Sequence, residues 1–335
     1  MKLPNRKNLT FKIKPHNYAK WVAERVNSIG GSDIGTIMNL NKYSSAIELF
    51  HIKCGLIESS TEEKISTYSG KVTEDLIIRD YWQYYNPTKP TDEEFLANAT
   101  QKNIIRKARK FHRTMFLNNT PLSASVDALF EGAGTSPDGV LEIKNQLSFV
   151  TRQYIGGVAP SYIIQLQTYL MLTGFEYGEI CSLEDGRFMK VYPIEANKDI
   201  HARILEQVMG FWSNVLKARE IVNHPTMPRH EKIIAISPLE PEPDGGEALK
   251  EYLDKRYTEE GKLGKIIGTP EIMETVDKYL DSREREKIAS GEKQLHGNIL
   301  RDFLLKNTCD EITDQEGKVI ASYRTWSGKA MLKVN

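Results

Sequence analysis

The sequence predicts an α/β fold over its first two thirds and a mainly helical extension after it. Three observations carry that expectation. Pro121 to Gln146, PLSASVDALFEGAGTSPDGVLEIKNQ, reads as two strands joined by a turn dense in glycine and proline (Gly132, Gly134, Pro137, Gly139). Two more strand patterns, Gly178 to Leu183 and Phe188 to Ile194, surround the turn Glu184-Asp185-Gly186-Arg187. Segments with apolar residues at helical spacing lie on both sides of these strands.

Taken in order, Asn17 to Val26 has helical spacing and runs into Ile29-Gly30-Gly31-Ser32-Asp33, a glycine turn opening a helix capped by Ser32 or Asp33. No Lys-Ser/Thr follows the glycines, so this is not a nucleotide-binding Walker loop. Free N–H groups at such a helix start can hold a phosphate, and Arg25 could add a charged clamp; a plain capped helix is the simpler reading. Ser45 to Gly55 is a short helix with a glycine stop. Ser69-Gly70-Lys71-Val72-Thr73-Glu74 opens another, placing Glu74 in its first turn, where the helix dipole alone would explain a carboxylate. Lys102, Arg106, Lys107, Arg109, Lys110 and Arg113 suggest a cationic helix that could follow a DNA backbone, or a solvated charged face. Ser161 to Thr173 forms an apolar helix ended by Gly174, with Gln165 and Tyr169 on one face and Gln167 on the other. Those buried amides need partners, which a DNA phosphate, a base edge, a metal-bound water or a backbone carbonyl would supply. Asp199 to Glu220 closes the unit with a stripe of Ile204, Leu205, Val208, Phe211, Trp212 and Val215. The division expected is therefore 1–223 as the α/β domain and 224–245 as a Pro-rich acidic linker. Residues 246–335 follow as a helical extension ending in a strand pair that turns at Glu316-Gly317.

Composition narrows the classes. The chain has 335 residues, 40% apolar and 27% charged, with 45 basic against 45 acidic side chains. A nucleic-acid partner would thus be gripped by a local basic surface rather than by global attraction. The three cysteines, 54, 181 and 309, cannot form a zinc knuckle or a four-cysteine cluster, and with no disulfide framework a reducing cytoplasm fits. The seven histidines show no metal-binding spacing, and no signal peptide or membrane-spanning run is expected.

The chemistry concentrates in the central hairpin. Strand alternation puts Glu142 and Lys144 on one face of Val140-Leu141-Glu142-Ile143-Lys144 and Leu141 and Ile143 on the other. Closing the hairpin brings Asp127 beside Glu142. Two carboxylates about 4 Å apart repel by roughly 4 kcal/mol at an effective dielectric near 20, so the pair invites a cation. Oxygen donors without nearby imidazoles or thiols favour magnesium or manganese. The pattern is loose, and a solvated surface hairpin fits the stretch equally well when it is read alone.

Four motifs in order resemble the YqaJ-type viral recombinase family, which includes phage lambda exonuclease. They are Arg25-x3-Ile29-Gly30-Gly31-Ser32-Asp33; Gly70-Lys71-x2-Glu74; Ser125-Val126-Asp127-Ala128 with Val140 to Lys144; and Gln165-x-Gln167-x-Tyr169 followed by Thr173-Gly174. The resemblance implies a PD-(D/E)xK restriction-endonuclease-like core, a mixed central sheet flanked by helices. It also implies a Mg2+-dependent deoxyribonuclease, with Mn2+ able to substitute. Asp127, Glu142 and the Ile143 carbonyl would bind the metal, and Glu74 would complete the acidic cluster. Lys144 and Gln165 would act on the water or scissile phosphate, while Arg25, Ser32 and Tyr169 would hold DNA phosphate. One departure concerns Ser136-Pro137-Asp138-Gly139, which copies the string around the metal-binding Asp of lambda exonuclease. Asp138 lies only four residues before Glu142, at the turn, and cannot oppose it on a paired strand; Asp127, fifteen residues before, can.

The reaction implied is digestion of one strand of linear double-stranded DNA from 5′ to 3′, leaving 3′ overhangs for a single-strand annealing protein. Double-stranded DNA with free ends is the partner, a trimeric ring is the oligomer found among relatives, and the setting is the cytoplasm of a bacterial host. A structure- or nick-specific endonuclease on the same core, or a non-catalytic DNA-binding recombination factor, are the competing readings.

Overall fold

The computed structural model describes residues 3–15, 17–60, 62, 65–85, 105–132, 136–260, 264–327 and 329–334. The chain divides into two compact units, Met1–Gly261 and Lys262–Asn335.

The first unit holds two sheets. One has the order β1-β4-β5-β2, built from β1 (Leu9–Ile13), β2 (Ile29–Gly30), β4 (Arg113–Leu117) and β5 (Leu122–Ala124). The other has the order β3-β6-β7-β8-β9, from β3 (Ile105–Lys110), β6 (Ala128–Gly132), β7 (Gly139–Gln146), β8 (Tyr177–Glu184) and β9 (Phe188–Glu195). Both are mixed: β2 runs parallel to β5 and β7 parallel to β8, and all other pairs are antiparallel. The helices are α1 (Tyr18–Arg25), α2 (Gly31–Ile37), α3 (Ala46–Cys54), α4 (Ile65–Tyr85), α5 (Ser148–Thr151) and α6 (Pro160–Thr173). They continue as α7 (Lys198–Val222), α8 (Arg229–Ile236) and α9 (Glu247–Glu260).

The chain passes between the sheets three times, once through the helices between β2 and β3 and twice by short steps, from β3 to β4 and from β5 to β6. The two short steps are tied together where the Phe111 N–H donates to the Asp127 carbonyl at 3.0 Å. The five-stranded sheet is covered on both faces, which is why β7 is buried over its first five residues, the charged Glu142 among them. On one face Val140 and Ile180 join a core with Ile34, Phe50, Leu166, Leu170 and Val208 from the helices. On the other, Leu141, Ile143, Phe130 and Cys181 pack against Ile77 and Tyr81 of α4. The parallel step from β7 to β8 requires a crossover, and α6 supplies it. Its stop at Gly174, φ 78°, brings the glycine within 2.9 Å (from an added Cβ) of the Asn5 backbone, a place with no room for a side chain.

Several expectations need correction. The basic segment 105–113 is not a helix; Ile105–Lys110 is β3, the edge strand of the larger sheet. Lys102 lies outside the described residues, as do turn residues 133–135 of the central hairpin. Helix α4 starts at Ile65, so Glu74 is in its interior and the dipole account of that residue does not apply. The cap of α2 is Gly30, with Asp33 reaching back to accept the Gly30 N–H at 3.0 Å. The Pro-rich stretch 224–245 contains α8, whose Ile236 is fully buried in the main core, and Leu249 and Tyr252 of α9 pack on Ile47. Turn-forming prolines flank α8 rather than interrupt it.

The second unit consists of the helix α10 (Pro270–Lys306) and a three-stranded antiparallel sheet. Its strands are β10 (Glu311–Thr313), β11 (Val319–Trp326) and β12 (Lys329–Val334), where the sequence suggested a pair. Leu304 and Ala321 are its buried apolar side chains among the described residues. Among the described residues no helix is long and apolar enough to cross a membrane.

Candidate active site

Strand register brings the carboxylates together. Ala128 pairs with Leu141, Leu129 with Val140 and Phe130 with Gly139, so one step further along the same ladder Asp127 stands beside Glu142. The Ile143 N–H donates to Asp127 Oδ2 at 2.9 Å. Asp138 closes the turn, accepting the Gly132 N–H at 3.0 Å, and is not among the residues of the cleft.

Glu142 is 1% exposed. Its Oε1 accepts from Lys144 Nζ at 2.5 Å and from Gln165 Nε2 at 2.7 Å. Its Oε2 is buried with no hydrogen-bond partner. An orphaned buried oxygen on a carboxylate is costly unless something cationic completes it. Lys144 also reaches Gln165 Oε1 at 3.2 Å and lies 4.4 Å from the centre of the Tyr162 ring. Gln165 Nε2 donates in addition to the Tyr169 hydroxyl at 2.9 Å, one helical turn along α6. Gln167, on the opposite face, is consumed structurally: it donates to the Glu195 carbonyl and accepts the Asn197 N–H.

The electrostatics agree with this geometry. Burial, and then the neighbouring Glu142 charge, push the Asp127 carboxyl up to about 7. Burial and the charges of Glu142 and Asp127 hold the Tyr169 hydroxyl well above its ordinary range. Burial alone would lower Lys144, but Glu142 and Asp127 outweigh it and raise it. Glu74, from α4, is raised by burial and by Asp127, against the opposing pull of Lys110. Two adjacent buried carboxylates, one of them with an unpartnered oxygen, fit a hard divalent cation. Among the described residues no three His, Cys, Asp or Glu side chains gather closely enough to share one ion. Asp127 and Glu142 are therefore the two side chains that could hold such an ion together, with backbone or water oxygens to complete it.

The side of the cleft where the sequence suggests a phosphate is built by the α1–α2 turn. Arg25 Nη2 donates to Ser32 Oγ at 2.9 Å and is paired with Asp33 Oδ1. Burial works against the Asp33 charge, yet Arg25 and Lys53 hold its carboxyl below the usual range. Lys53, 3% exposed, donates to the carbonyls of Arg25 and Ser28, each at 2.7 Å, and lies 3.0 Å from Asp33 Oδ2. Arg219 of α7 donates to the Val26 carbonyl at 2.7 Å. Two cations thus hold this turn by its carbonyls. Gly31 is needed for a different reason: a Cβ there would lie 2.4 Å from Tyr169 Cε1.

All nine residues singled out in the sequence (Arg25, Ser32, Glu74, Asp127, Glu142, Ile143, Lys144, Gln165 and Tyr169) line one cleft of about 340 Å³. Trp21 lines it too, with the Arg25 guanidinium 4.6 Å from its ring centre. Sequence reasoning missed Lys14, Lys53, Lys110 and Tyr162 as parts of this neighbourhood. Lys53 did leave a signal, a lone cation inside the apolar helix Ala46–Cys54; Lys14 left none.

Comparison with known proteins places these features. The chain is 25% identical over 292 residues to the uncharacterized protein YqaJ of Bacillus subtilis, covering 85% of this chain and 77% of that one. Among solved structures it aligns with the alkaline exonuclease LHK-Exo of Laribacter hongkongensis, with 18% identity and a TM-score of 0.44 over 65% of this chain and 99% of that one. It also aligns with a phage-related exonuclease of Haemophilus somnus, with 13% identity and a TM-score of 0.33 over 54% of this chain and 90% of that one. Residues 20–176 match the YqaJ-like viral recombinase domain, a span that contains every cleft residue named above. The chain therefore carries a YqaJ-like viral recombinase domain, and the cleft lies within it.

Proposed function

We propose that this protein is a divalent-ion-dependent deoxyribonuclease that digests one strand of linear duplex DNA from its 5′ end. The observation that carries the reading is Glu142, a buried carboxylate beside Asp127 whose second oxygen has no partner, in a cleft that also holds Lys144 and the Arg25–Ser32 pair. Asp127, Glu142 and the Ile143 carbonyl would hold Mg2+, or Mn2+ in its place. When bound, such an ion polarises a phosphoryl oxygen and makes hydroxide available near neutral pH.

The chain's own groups do the rest. Lys144, fixed by Glu142, Gln165 and the Tyr162 ring, orients the attacking water and sets a positive charge beside the developing anion. Gln165 bridges Glu142 and Tyr169, so the water side and the phosphate side share one rigid hydrogen-bonded line. Arg25 and Ser32, with the N–H groups at the start of α2, hold a phosphate. Glu74 closes the acidic wall from α4. The substrate in this reading is linear duplex DNA. The product is a 3′ overhang taken up by a single-strand annealing protein, and a homo-oligomeric ring would keep the enzyme on its track.

The test is digestion of end-labelled linear duplex and covalently closed circular DNA with Mg2+, comparing wild type with Glu142→Ala. Nucleotide release from the 5′ ends of linear duplex only, lost in the variant, is expected. Cleavage of closed circles would replace the exonuclease with an endonuclease, and undiminished release by the variant would refute the site.

A further inference from the structure

Phosphodiester cleavage is often performed by two divalent ions about 4 Å apart, one at the attacking and one at the departing oxygen. The second ion would need a ligand on the α4 side of Asp127, and Glu74 is the carboxylate there. Glu74 is already engaged: its Oε2 lies 3.0 Å from Lys110 Nζ, which also reaches Asp75 Oδ1 at 3.2 Å. The position of Lys110 is set by the sheet, not by chance of a long side chain. In the β3–β6 ladder Lys110 pairs with Ala128, next to Asp127, and it shares a strand face with Ala108, which packs on the core beneath α4.

A second ammonium stands close by. Lys14, on the segment after β1, donates to the Val126 carbonyl at 3.0 Å, and Asp127, Glu74 and Glu142 all bear on its charge, as does Lys110. Lys14 is half-buried and anchored to backbone, so it cannot readily withdraw. Around the cleft the three carboxylates Glu74, Asp127 and Glu142 are met by three ammoniums, Lys14, Lys110 and Lys144. The only buried side-chain oxygen without a partner among the described residues is Glu142 Oε2, whereas Glu74 Oε2 already has Lys110. The arrangement asks for one ion, not two.

We propose that this site works with a single divalent ion, and that Lys110, held by Glu74 and Asp75 and backed by Lys14, supplies the positive charge a second ion would otherwise bring. Glu74 is then a positioning residue for Lys110 rather than a metal ligand. The inference rests on the metal-dependent reading above, and its test separates the two.

The experiment counts Mn2+ bound to the full-length chain, by the electron paramagnetic resonance signal of the free ion, with a blunt 5′-phosphorylated duplex carrying non-hydrolysable linkages. Wild type is expected to bind one ion per chain, and Lys110→Arg, which keeps the charge and reports on folding, one as well. Lys110→Met is expected to bind two, with the second lost again in the Lys110→Met, Glu74→Gln double variant. Two ions on the wild type, one of them removed by Glu74→Gln, would overturn the proposal. A count that stays at one in Lys110→Met would overturn the part given to Lys110. No ion on the wild type would refute the metal-dependent reading itself.

Discussion

Replacing Asp127 by asparagine removes a charge that the folded protein holds at a cost. The carboxyl is pushed from 3.8 to about 7 by burial and by Glu142. At about 1.4 kcal/mol per pH unit, keeping it ionised without metal costs up to about 4 kcal/mol. The sign follows from the raised value: the native state binds this proton more tightly than the unfolded chain. The favourable contribution is present below about pH 4 and is lost as pH rises towards about 7. Asparagine keeps an oxygen to accept the Ile143 N–H and carries no charge at any of these pH values. In EDTA near pH 8.5, Asp127→Asn should therefore be more stable than wild type by roughly 2–4 kcal/mol. At 2–4 °C per kcal/mol for a domain of this size, thermal unfolding should show a rise of roughly 5–15 °C. Near pH 5 the gap should shrink to less than half. Adding Mg2+ should reverse the order, because an ion bound only by the folded wild type stabilises it by mass action. A variant no more stable than wild type in EDTA at the higher pH, or a gap of equal size at both, would refute the argument.

Other consequences are more direct. Lys144→Met leaves Glu142 buried with Gln165 alone on Oε1, and should cost about 3 kcal/mol in metal-free denaturant unfolding while abolishing cleavage. Gly31→Ala drives a methyl group into the Tyr169 ring; a loss of roughly 1–3 kcal/mol is expected by thermal unfolding, with weaker duplex binding in a fluorescence titration. Lys53→Met removes the ammonium that fixes the Arg25 and Ser28 carbonyls and Asp33, so the Arg25 clamp should loosen. The rate ratio between 5′-phosphorylated and 5′-hydroxyl duplex should fall at least tenfold; an unchanged ratio would mean that Arg25 does not read the terminal phosphate.

The site was legible in the sequence because its main parts are local. Glu142 and Lys144 share a face by alternation alone, and placing Asp127 rather than Asp138 beside Glu142 needed only the geometry of a hairpin, as the Ala128–Leu141 register has it. Gln165 and Tyr169 needed only helical spacing. What escaped is what depends on distant pairing. The smaller sheet is made of strands as short as Ile29–Gly30, whose existence rests on partners more than ninety positions away in Pro121 to Ser123. The Arg- and Lys-rich run before Phe111 looks helical by charge and becomes a strand because β6 offers it an edge. Lys14 and Lys110 reach the carboxylates only through that same non-local pairing, so no local pattern marks them.

The bond from Phe111 N–H to the Asp127 carbonyl sits where the backbone leaves one sheet for the other. Asp127 accordingly belongs to neither sheet, and the five-stranded layer cannot be transplanted as a working module. A chimera that kept β3 and β6 to β9 but borrowed its smaller sheet from another scaffold would inherit Glu142 and Lys144 intact. It would lose the seam that aims their acidic neighbour.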